Sequence, residues 1–265
     1  MVCYSQGLNQ ISLIVFRSVV TVLMLIPAAR IDIRTFIGLK KRLWRLMALA
    51  ASSMVTTLLL FSSYKYISTG VSTGVHFLYP VFVALICFFV FRQPMTKAKV
   101  CCLIFCIIGL FLLLDKKETL NPLGVSLAFL SSIIYSVYIV GLERVNLNAL
   151  SSIQLIFLLE LCQLICGLAA ALCTGAFNMN VTAAGWTVLL IGEILVSVFG
   201  QLFFIFGVRC AGAQTASIIS TSEPLASVLI GAFVLKETFT ASMIFGMILI
   251  LLAVIVSALS DEKIA

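Results

Sequence analysis

Nine nearly continuous apolar segments cover most of this chain, and each is about as long as a helix that crosses a membrane. A membrane-spanning helix needs about 20 predominantly apolar residues. The segments lie at 11–29, 46–64, 71–91, 98–114, 123–142, 151–173, 186–208, 213–235 and 242–260. Because they are continuous and do not alternate with polar residues, helices are predicted and membrane strands are not. The sequence therefore predicts an all-α polytopic membrane protein with nine spans.

The composition excludes the soluble classes of protein. Of the 265 residues, 62% are hydrophobic and 10% are charged, and the mean hydropathy is +1.22. A soluble domain is about 45–50% apolar and about 25% charged. A soluble core of this size cannot enclose so large an apolar fraction, and intrinsic disorder is excluded by the same numbers. The lipid bilayer is thus the expected environment.

The basic residues predict the direction in which the spans run. The net charge is +7, with 17 Lys and Arg against 10 Asp and Glu. Twelve basic residues fall on one side, in alternate connections and the C-terminal tail: Arg30, Arg34, Lys40, Lys41, Arg42, Arg45, Arg92, Lys97, Lys99, Arg144, Arg209 and Lys263. Positive residues mark the cytoplasmic side. We therefore expect a multi-pass protein of the cell (inner or plasma) membrane with a cytoplasmic C-terminus, and no nucleic-acid partner.

An internal repeat relates the two halves of the chain. A shift of 144 residues aligns 65–108 with 209–252 and matches Pro80 with Pro224. Each copy contains a span with a central proline, a short basic turn and a second span. The predicted topology places Arg92 inside and Lys236 outside, so the copies run in opposite directions. Inverted repeats with interrupted helices are typical of alternating-access transporters, whose binding site lies near the bilayer midplane.

Two motif blocks at matching places resemble the EamA-type transporters of the drug/metabolite transporter superfamily. The first is YKYISTGVSTGVHFLYP at 64–80 with RQPMT at 92–96, and the second is GAQTASIISTSEPL at 212–225 with KETFT at 236–240. The resemblance implies an inverted-repeat helix bundle, with one repeat at 1–115 and the other at 122–260. Residues 1–10 resemble only the end of the family's first helix, so four plus five spans are expected. The family's acidic residue after the fourth span is Gln93 here, although Glu237 keeps it in the second repeat.

Ionisable side chains inside the predicted spans are the candidate functional residues, because each costs about 2.5–3.5 kcal/mol at mid-bilayer. Glu223 precedes Pro224, and a proline inside a helix frees the carbonyl one turn earlier, which belongs to Ser220. Ser220 and Glu223 therefore form a polar face beside a predicted kink, suited to a substrate amine or a proton. The alternative is a purely structural kink with a hydrogen-bonded glutamate.

The first repeat carries a matching polar face before its own predicted kink at Pro80. His76 aligns with Ser220, and Tyr79 aligns with Glu223. An imidazole changes charge near neutral pH, so one interpretation is proton coupling or substrate contact. The other is a histidine that a neighbouring helix satisfies. Tyr135 is a candidate for a cavity wall, with ordinary bundle packing as the alternative.

Two further intramembrane glutamates are candidates. Glu160 is either a proton carrier or the ion-pair partner of Arg17, and the structural pair is favoured. Glu193 is either a binding residue or part of a helix-packing surface that is rich in glycine. The cysteines lie mostly inside apolar helices, where they act as small hydrophobes. With His76 as the single histidine, neither a metal site nor a cofactor is expected.

These features predict a secondary transporter of small metabolites that works by alternating access. Amino acids and drug-like compounds are candidate substrates, efflux is a candidate direction, and protons are a candidate coupling ion. No enzyme motif is found, so the chain is not expected to be an enzyme. The alternative is a non-transporting or partner-dependent membrane protein from a truncated paralogue. A membrane-embedded enzyme is disfavoured because the carboxylates are dispersed over different segments. No oligomeric state is predicted.

Overall fold

Long apolar segments form helices here because a helix satisfies its backbone groups internally, as a bilayer requires. The computed structural model describes residues 10–30, 43–113, 121–144, 150–175, 177, 186–187, 190–192, 194–223 and 241–262. Within these residues the regular structure is helical and contains no strand. The helices are α1 (Gln10–Ala29), α2 (Leu43–Ser63), α3 (Thr69–His76), α4 (Tyr79–Phe89), α5 (Lys97–Leu113), α6 (Pro122–Arg144), α7 (Ser152–Thr174), α8 (Gln201–Ser220) and α9 (Ala241–Glu262).

The helix ends follow local sequence signals. The side chain of Asn121 accepts a hydrogen bond from the Leu123 amide at 2.9 Å, and Pro122 is the first residue of α6. An Asn-Pro pair is a typical helix start, since proline suits the first helical position. A reciprocal capping box of Ser151 and Gln154 begins α7, and Gly175, in the left-handed region, ends it.

The number of spans agrees only partly with the sequence prediction. Six helical segments of the described chain are long and apolar enough to cross a membrane: Ile11–Ala29, Leu43–Ser63, Thr69–Phe89, Pro122–Arg144, Ser152–Thr174 and Val198–Ser220. Two others are shorter, since α5 has 17 residues and the apolar part of α9 is Ile244–Val256. The chain is thus helical with several spans, and the predicted total of nine is not confirmed.

Two of the long segments are interrupted, and in the first the break lies beside the proline that the repeat analysis marks. In the first repeat α3 ends at His76 and α4 begins at Tyr79, with Pro80 in its first turn. In the second repeat α8 is broken at Gly212, with φ 80° and ψ 166°. Essentially only glycine adopts this combination, because a Cβ would clash with the backbone. The break falls between the predicted spans 186–208 and 213–235.

The chain divides into two compact units. Unit 1 consists of Met1–Leu58 and Arg144–Phe206, and unit 2 consists of Leu59–Glu143 and Gly207–Ala265. Each unit combines residues from both predicted repeats. In unit 1, α1 packs against α7, and in unit 2, α5 packs against α9. Both pairs join helices that are related by the shift of 144 residues.

The contact between α5 and α9 is close because small residues line it. A Cβ added to Gly109 would lie 2.7 Å from the side chain of Ile250 and 2.9 Å from the backbone oxygen of Gly246. Nearby, Cys102 and Cys106 belong to an apolar core cluster. Small side chains permit this approach, which is how membrane helices gain contact in the absence of a hydrophobic driving force.

Gly109→Ala should therefore destabilise unit 2. The new methyl group meets backbone as well as side chain, so α9 must shift, and we expect a loss of about 1–3 kcal/mol. Thermal unfolding of the purified protein in detergent measures this change. Gly70→Ala is the matched control, because the nearest atom to its added Cβ is 3.9 Å away. An unchanged melting temperature for Gly109→Ala would contradict the close contact.

Candidate functional site

A buried carboxylate lies at the centre of unit 1. Glu160 on α7 is fully buried. Its Oε2 accepts a hydrogen bond from Ser18 Oγ at 2.8 Å, and its Oε1 accepts one from Gln201 Nε2 at 2.8 Å. The guanidinium of Arg17 lies 3.7 Å from Oε1. A buried charge is tolerated only when it is paired and hydrogen-bonded. The network therefore connects α1, α7 and α8 through one side chain.

The helix geometry next to this network is irregular. The segment Ile194–Gly200 is π-helical and is followed directly by Gln201, the residue that donates to Glu160. Single π-helical turns occur frequently at functional sites because they shift the register of the side chains that follow. This segment also contacts α1. The Gln201 amide thus reaches Glu160 from an irregular stretch of helix.

Unit 2 contains a cluster of one imidazole and three phenols, the aromatic cluster of His76, Tyr79, Tyr135 and Tyr138. The ring centroids of Tyr79 and Tyr135 are 4.9 Å apart at 89°, and those of His76 and Tyr135 are 5.2 Å apart. Tyr135 also stacks on Tyr138 at 5.8 Å. Edge-to-face and offset arrangements are the favourable ones for such rings. The break between α3 and α4 brings His76 and Tyr79 onto the same side.

Hydrogen bonds connect the aromatic cluster to serines on two other helix segments. The Nδ1 atom of His76 lies 2.9 Å from Ser131 Oγ on α6. The hydroxyl of Tyr79 is hydrogen-bonded to Ser220 Oγ at the end of α8. His76, Tyr79 and Ser131 are buried. These contacts join residues of the two predicted repeats, because Ser220 belongs to the second copy and Tyr79 to the first.

Glu223 follows the end of α8 and is exposed. Its carboxylate is close enough to Tyr64 and Tyr79 to interact with both electrostatically. The aromatic cluster therefore has a carboxylate beside it. Together with Ser220, these residues form the candidate site of unit 2.

A second polar group in unit 2, the Glu143 cluster, consists of Gln93, Glu143, Ala213 and Gln214. Glu143 Oε2 accepts from the Ala213 amide at 2.8 Å, directly after the break at Gly212. Glu143 Oε1 accepts from Gln93 Nε2 at 3.4 Å, and Gln93 Oε1 accepts from Gln214 Nε2 at 3.1 Å. A carboxylate at a helix N-terminus satisfies an otherwise unpaired amide and interacts favourably with the helix dipole. Glu143 thus caps the helix that leads to Ser220.

Comparison with known proteins identifies the family. A sequence model described as the EamA-like transporter family matches residues 2–115 and 122–259. The chain belongs to the EamA-like transporter family. An uncharacterized transporter of Synechocystis sp. is 26% identical over 231 residues, which is 84% of this chain and 68% of that protein. One crystal structure matches with a TM-score of 0.78 at 16% identity, over 99% of this chain and 92% of the other, which supports the fold.

Membership in the EamA-like family agrees with the apolar helices. The protein is a multi-pass membrane transporter, because the family match extends over both halves of the chain and several helices are long enough to span a bilayer. The polar groups described above therefore lie in or beside membrane-spanning helices. At that depth each buried polar group must find a partner inside the protein.

The structure brings several of the predicted site residues of this EamA-like chain together. His76, Tyr79, Tyr135 and Ser220 are in contact, with Glu223 beside them. Arg17 and Glu160 lie together in unit 1. Glu193 and Pro224 lie outside the described residues.

Sequence reasoning missed Ser131, Glu143 and Gln201 as partners. Ser131 precedes Tyr135 by four residues and therefore shares its helix face. This spacing was the available sequence signal for its role. Glu143 was overlooked because it lies at the end of its segment beside Arg144. Its partner Ala213 is 70 residues away, and spacing along the chain gives no indication of such a contact.

The hydroxyls of α1 give a test of the Glu160 network. Ser18→Ala removes a donor from a buried carboxylate and should cost about 1–3 kcal/mol. Thr21 is equally buried, and its hydroxyl has no hydrogen-bond partner within the described part of the chain, so Thr21→Val should leave stability unchanged or raise it. Thermal unfolding in detergent compares the two variants. Equal losses would show that the network contributes no specific stabilisation.

The Glu143 cluster provides a second test through exchange of its charged and amide groups. Gln93→Glu places a carboxylate beside Glu143, and repulsion between them should lower stability by about 1–3 kcal/mol. The double variant Gln93→Glu/Glu143→Gln has one carboxylate and one amide again, and it should recover most of the loss. Glu143→Gln alone is the control. A double variant as unstable as Gln93→Glu would contradict the arrangement, and thermal unfolding measures it.

Proposed function

We propose that this EamA-like protein is a secondary transporter that moves small polar metabolites by alternating access. The substrate binds in unit 2, beside the aromatic cluster, Ser220 and Glu223. The observation that carries the proposal is this concentration of polar side chains between apolar helices. Ionisable groups at membrane depth are costly, and they are retained where they bind substrate or ions. The family match supports the same conclusion independently.

The exposure of Glu223 supports a binding role. Its side chain is exposed, although it belongs to a predicted span. A carboxylate in contact with lipid would be expensive, so an exposed carboxylate at this depth implies an aqueous cavity next to it. The tyrosines beside it would form the wall of that cavity. In this proposal a solute that enters from water reaches Glu223.

In this proposal the chain forms an inverted repeat with nine spans, four in the first copy and five in the second. The cytoplasmic C-terminus follows from the distribution of basic residues. The packing of α1 on α7 and of α5 on α9 supports the repeat, since each pair joins corresponding helices. The predicted kinks at Pro80 and Pro224 also lie at corresponding positions of the two copies. Interrupted helices in matching positions of two repeats are the usual sign of a transporter's binding region.

The energy source in this proposal is a solute or proton gradient. The sequence contains no glycine-rich phosphate loop that would bind a nucleotide. Protons are the candidate coupling ion because Glu223 and His76 are titratable groups of the candidate site. Glu160 is assigned a structural role, because Ser18, Gln201 and Arg17 surround its carboxylate. It holds three helices together in unit 1.

Glu223→Gln should abolish transport while the protein still inserts and folds. The amide keeps the shape of the side chain but loses the negative charge that the proposal assigns to binding. A comparison of metabolites exported by cells with and without the protein identifies the transported compound. Its flux into proteoliposomes then measures the variant.

The matched control is Glu118→Gln, which makes the same chemical change in the predicted connection between spans 98–114 and 123–142. This control should transport normally. Membrane insertion and the melting temperature of both variants are measured alongside. Full transport by Glu223→Gln would rule out the proposed role for this carboxylate.

A further inference from the structure

The sequence between the first two spans carries more positive charge than the other predicted connections. Residues 30–45 contain six Lys or Arg and one acidic residue, Asp32, so this stretch has a net charge of +5. The next most basic connection, at 91–99, contains three basic residues. An excess of a few Lys and Arg is sufficient to orient a membrane protein. The first connection therefore has charge beyond what its topology needs.

The structure describes the last of these charges, which lies in the first turn of α2. The guanidinium carbon of Arg45 is 5.5 Å from the centroid of the Trp44 ring, which is a cation–π distance. Trp44 itself is 68% exposed. The contact thus places a positive charge over an aromatic ring on the outside of the helix.

The two faces of α2 differ around this pair. Leu43, Trp44 and Met47 are exposed and lie within about 100° of one another around the helix axis, whereas Leu46 and Ala50 are buried. The exposed face is apolar, as a face in contact with acyl chains should be. A tryptophan at the end of a span sits at the level of the lipid headgroups, because its ring is amphipathic. Positive charge, aromatic ring and apolar face therefore follow one another along α2.

We propose that Trp44 and Arg45 form a binding site for the headgroup of a negatively charged phospholipid. The guanidinium offers its N–H donors in a planar fork that matches two oxygens of a phosphodiester. The acyl chains of the same lipid lie along the apolar face that begins with Leu43 and Met47. A soluble phosphate would satisfy the charge and leave that face without a partner, so a membrane lipid is the occupant. A zwitterionic lipid binds less tightly because its headgroup has no net charge for the basic residues to attract.

The fluorescence of Trp44 reports directly on the lipid beside it. The chain has two tryptophans, so Trp186→Phe leaves Trp44 as the single emitter, and phenylalanine can keep the ring contact that Trp186 makes with Phe16. This full-length variant is reconstituted into vesicles of equal parts phosphatidylglycerol and phosphatidylcholine, with bromine on the acyl chains of one lipid or the other. Bromine quenches a neighbouring indole, so exchanging the brominated lipid gives the binding constant of phosphatidylglycerol relative to phosphatidylcholine.

We expect this ratio to be about five, the effect of one basic residue near a charged lipid surface. A ratio of one or less would overturn the proposal. In the same background, Arg45→Gln should lower the ratio to below about two. The melting temperature of each variant is measured alongside, so that a loss of preference is compared between folded proteins.

The matched control is Lys97→Gln, which removes one positive charge from an exposed side chain at the start of α5 in unit 2. A general surface potential depends on total charge and would fall equally in both variants. A site at Arg45 predicts that Lys97→Gln keeps the ratio of the parent. Equal reductions by Arg45→Gln and Lys97→Gln would therefore refute a specific headgroup site.

Two further measurements identify what Arg45 recognises. Arg45→Lys keeps the charge but loses the planar fork and the stacking on the indole, so it should lower the ratio, and an unchanged ratio would show that a point charge is enough and contradict the site. Inorganic phosphate is then added at constant ionic strength, because salt alone screens the attraction. The ratio should not change. A decrease would mean that a soluble anion occupies the guanidinium, which would overturn the assignment to a lipid.

Discussion

Inside a bilayer there is no water to satisfy a polar group, so each one needs a partner within the protein. The backbone meets this requirement by forming helices, and the side chains meet it through contacts between helices. Glu160 shows the consequence most clearly. Its two oxygens are surrounded by Ser18 and Arg17 from α1 and by Gln201 from α8. A carboxylate in this position determines which helices must be neighbours, and the packing of unit 1 follows from it.

In each unit, a helix of the first repeat packs against the helix at the corresponding position of the second repeat. The shift of 144 residues relates α1 to α7 and α5 to α9, and each pair is in contact within its own unit. Close approach needs small residues, which Gly109 and Gly246 supply in unit 2. Gly167 does the same in unit 1, where an added Cβ would lie 3.0 Å from Val15. Polar contacts specify these neighbours, and small residues let them approach.

The sequence predicts the parts of the structure that depend on local pattern. Apolar length indicates where helices lie, and Pro122 marks the start of α6 because its constraint is local. The partners of Glu143 and His76 could not be predicted in this way. Ala213 and Ser131 lie 70 and 55 residues from them, and periodicity carries no information about which helices meet. The predicted span count depends on the same local pattern, and α5 and α9 combine an apolar part with polar ends near the limit of spanning length.

A serine inside a helix can hydrogen-bond to the carbonyl of its own preceding turn, and two serines of unit 2 do so while also contacting a side chain on another helix segment. Ser131 is within hydrogen-bonding distance of Ala128 O and of His76, and Ser220 is within hydrogen-bonding distance of Ser217 O and is hydrogen-bonded to Tyr79. One hydroxyl therefore has partners both in its own helix and in a neighbouring one. In the absence of water this is how a small polar side chain is satisfied and at the same time joins two helix segments at the proposed site.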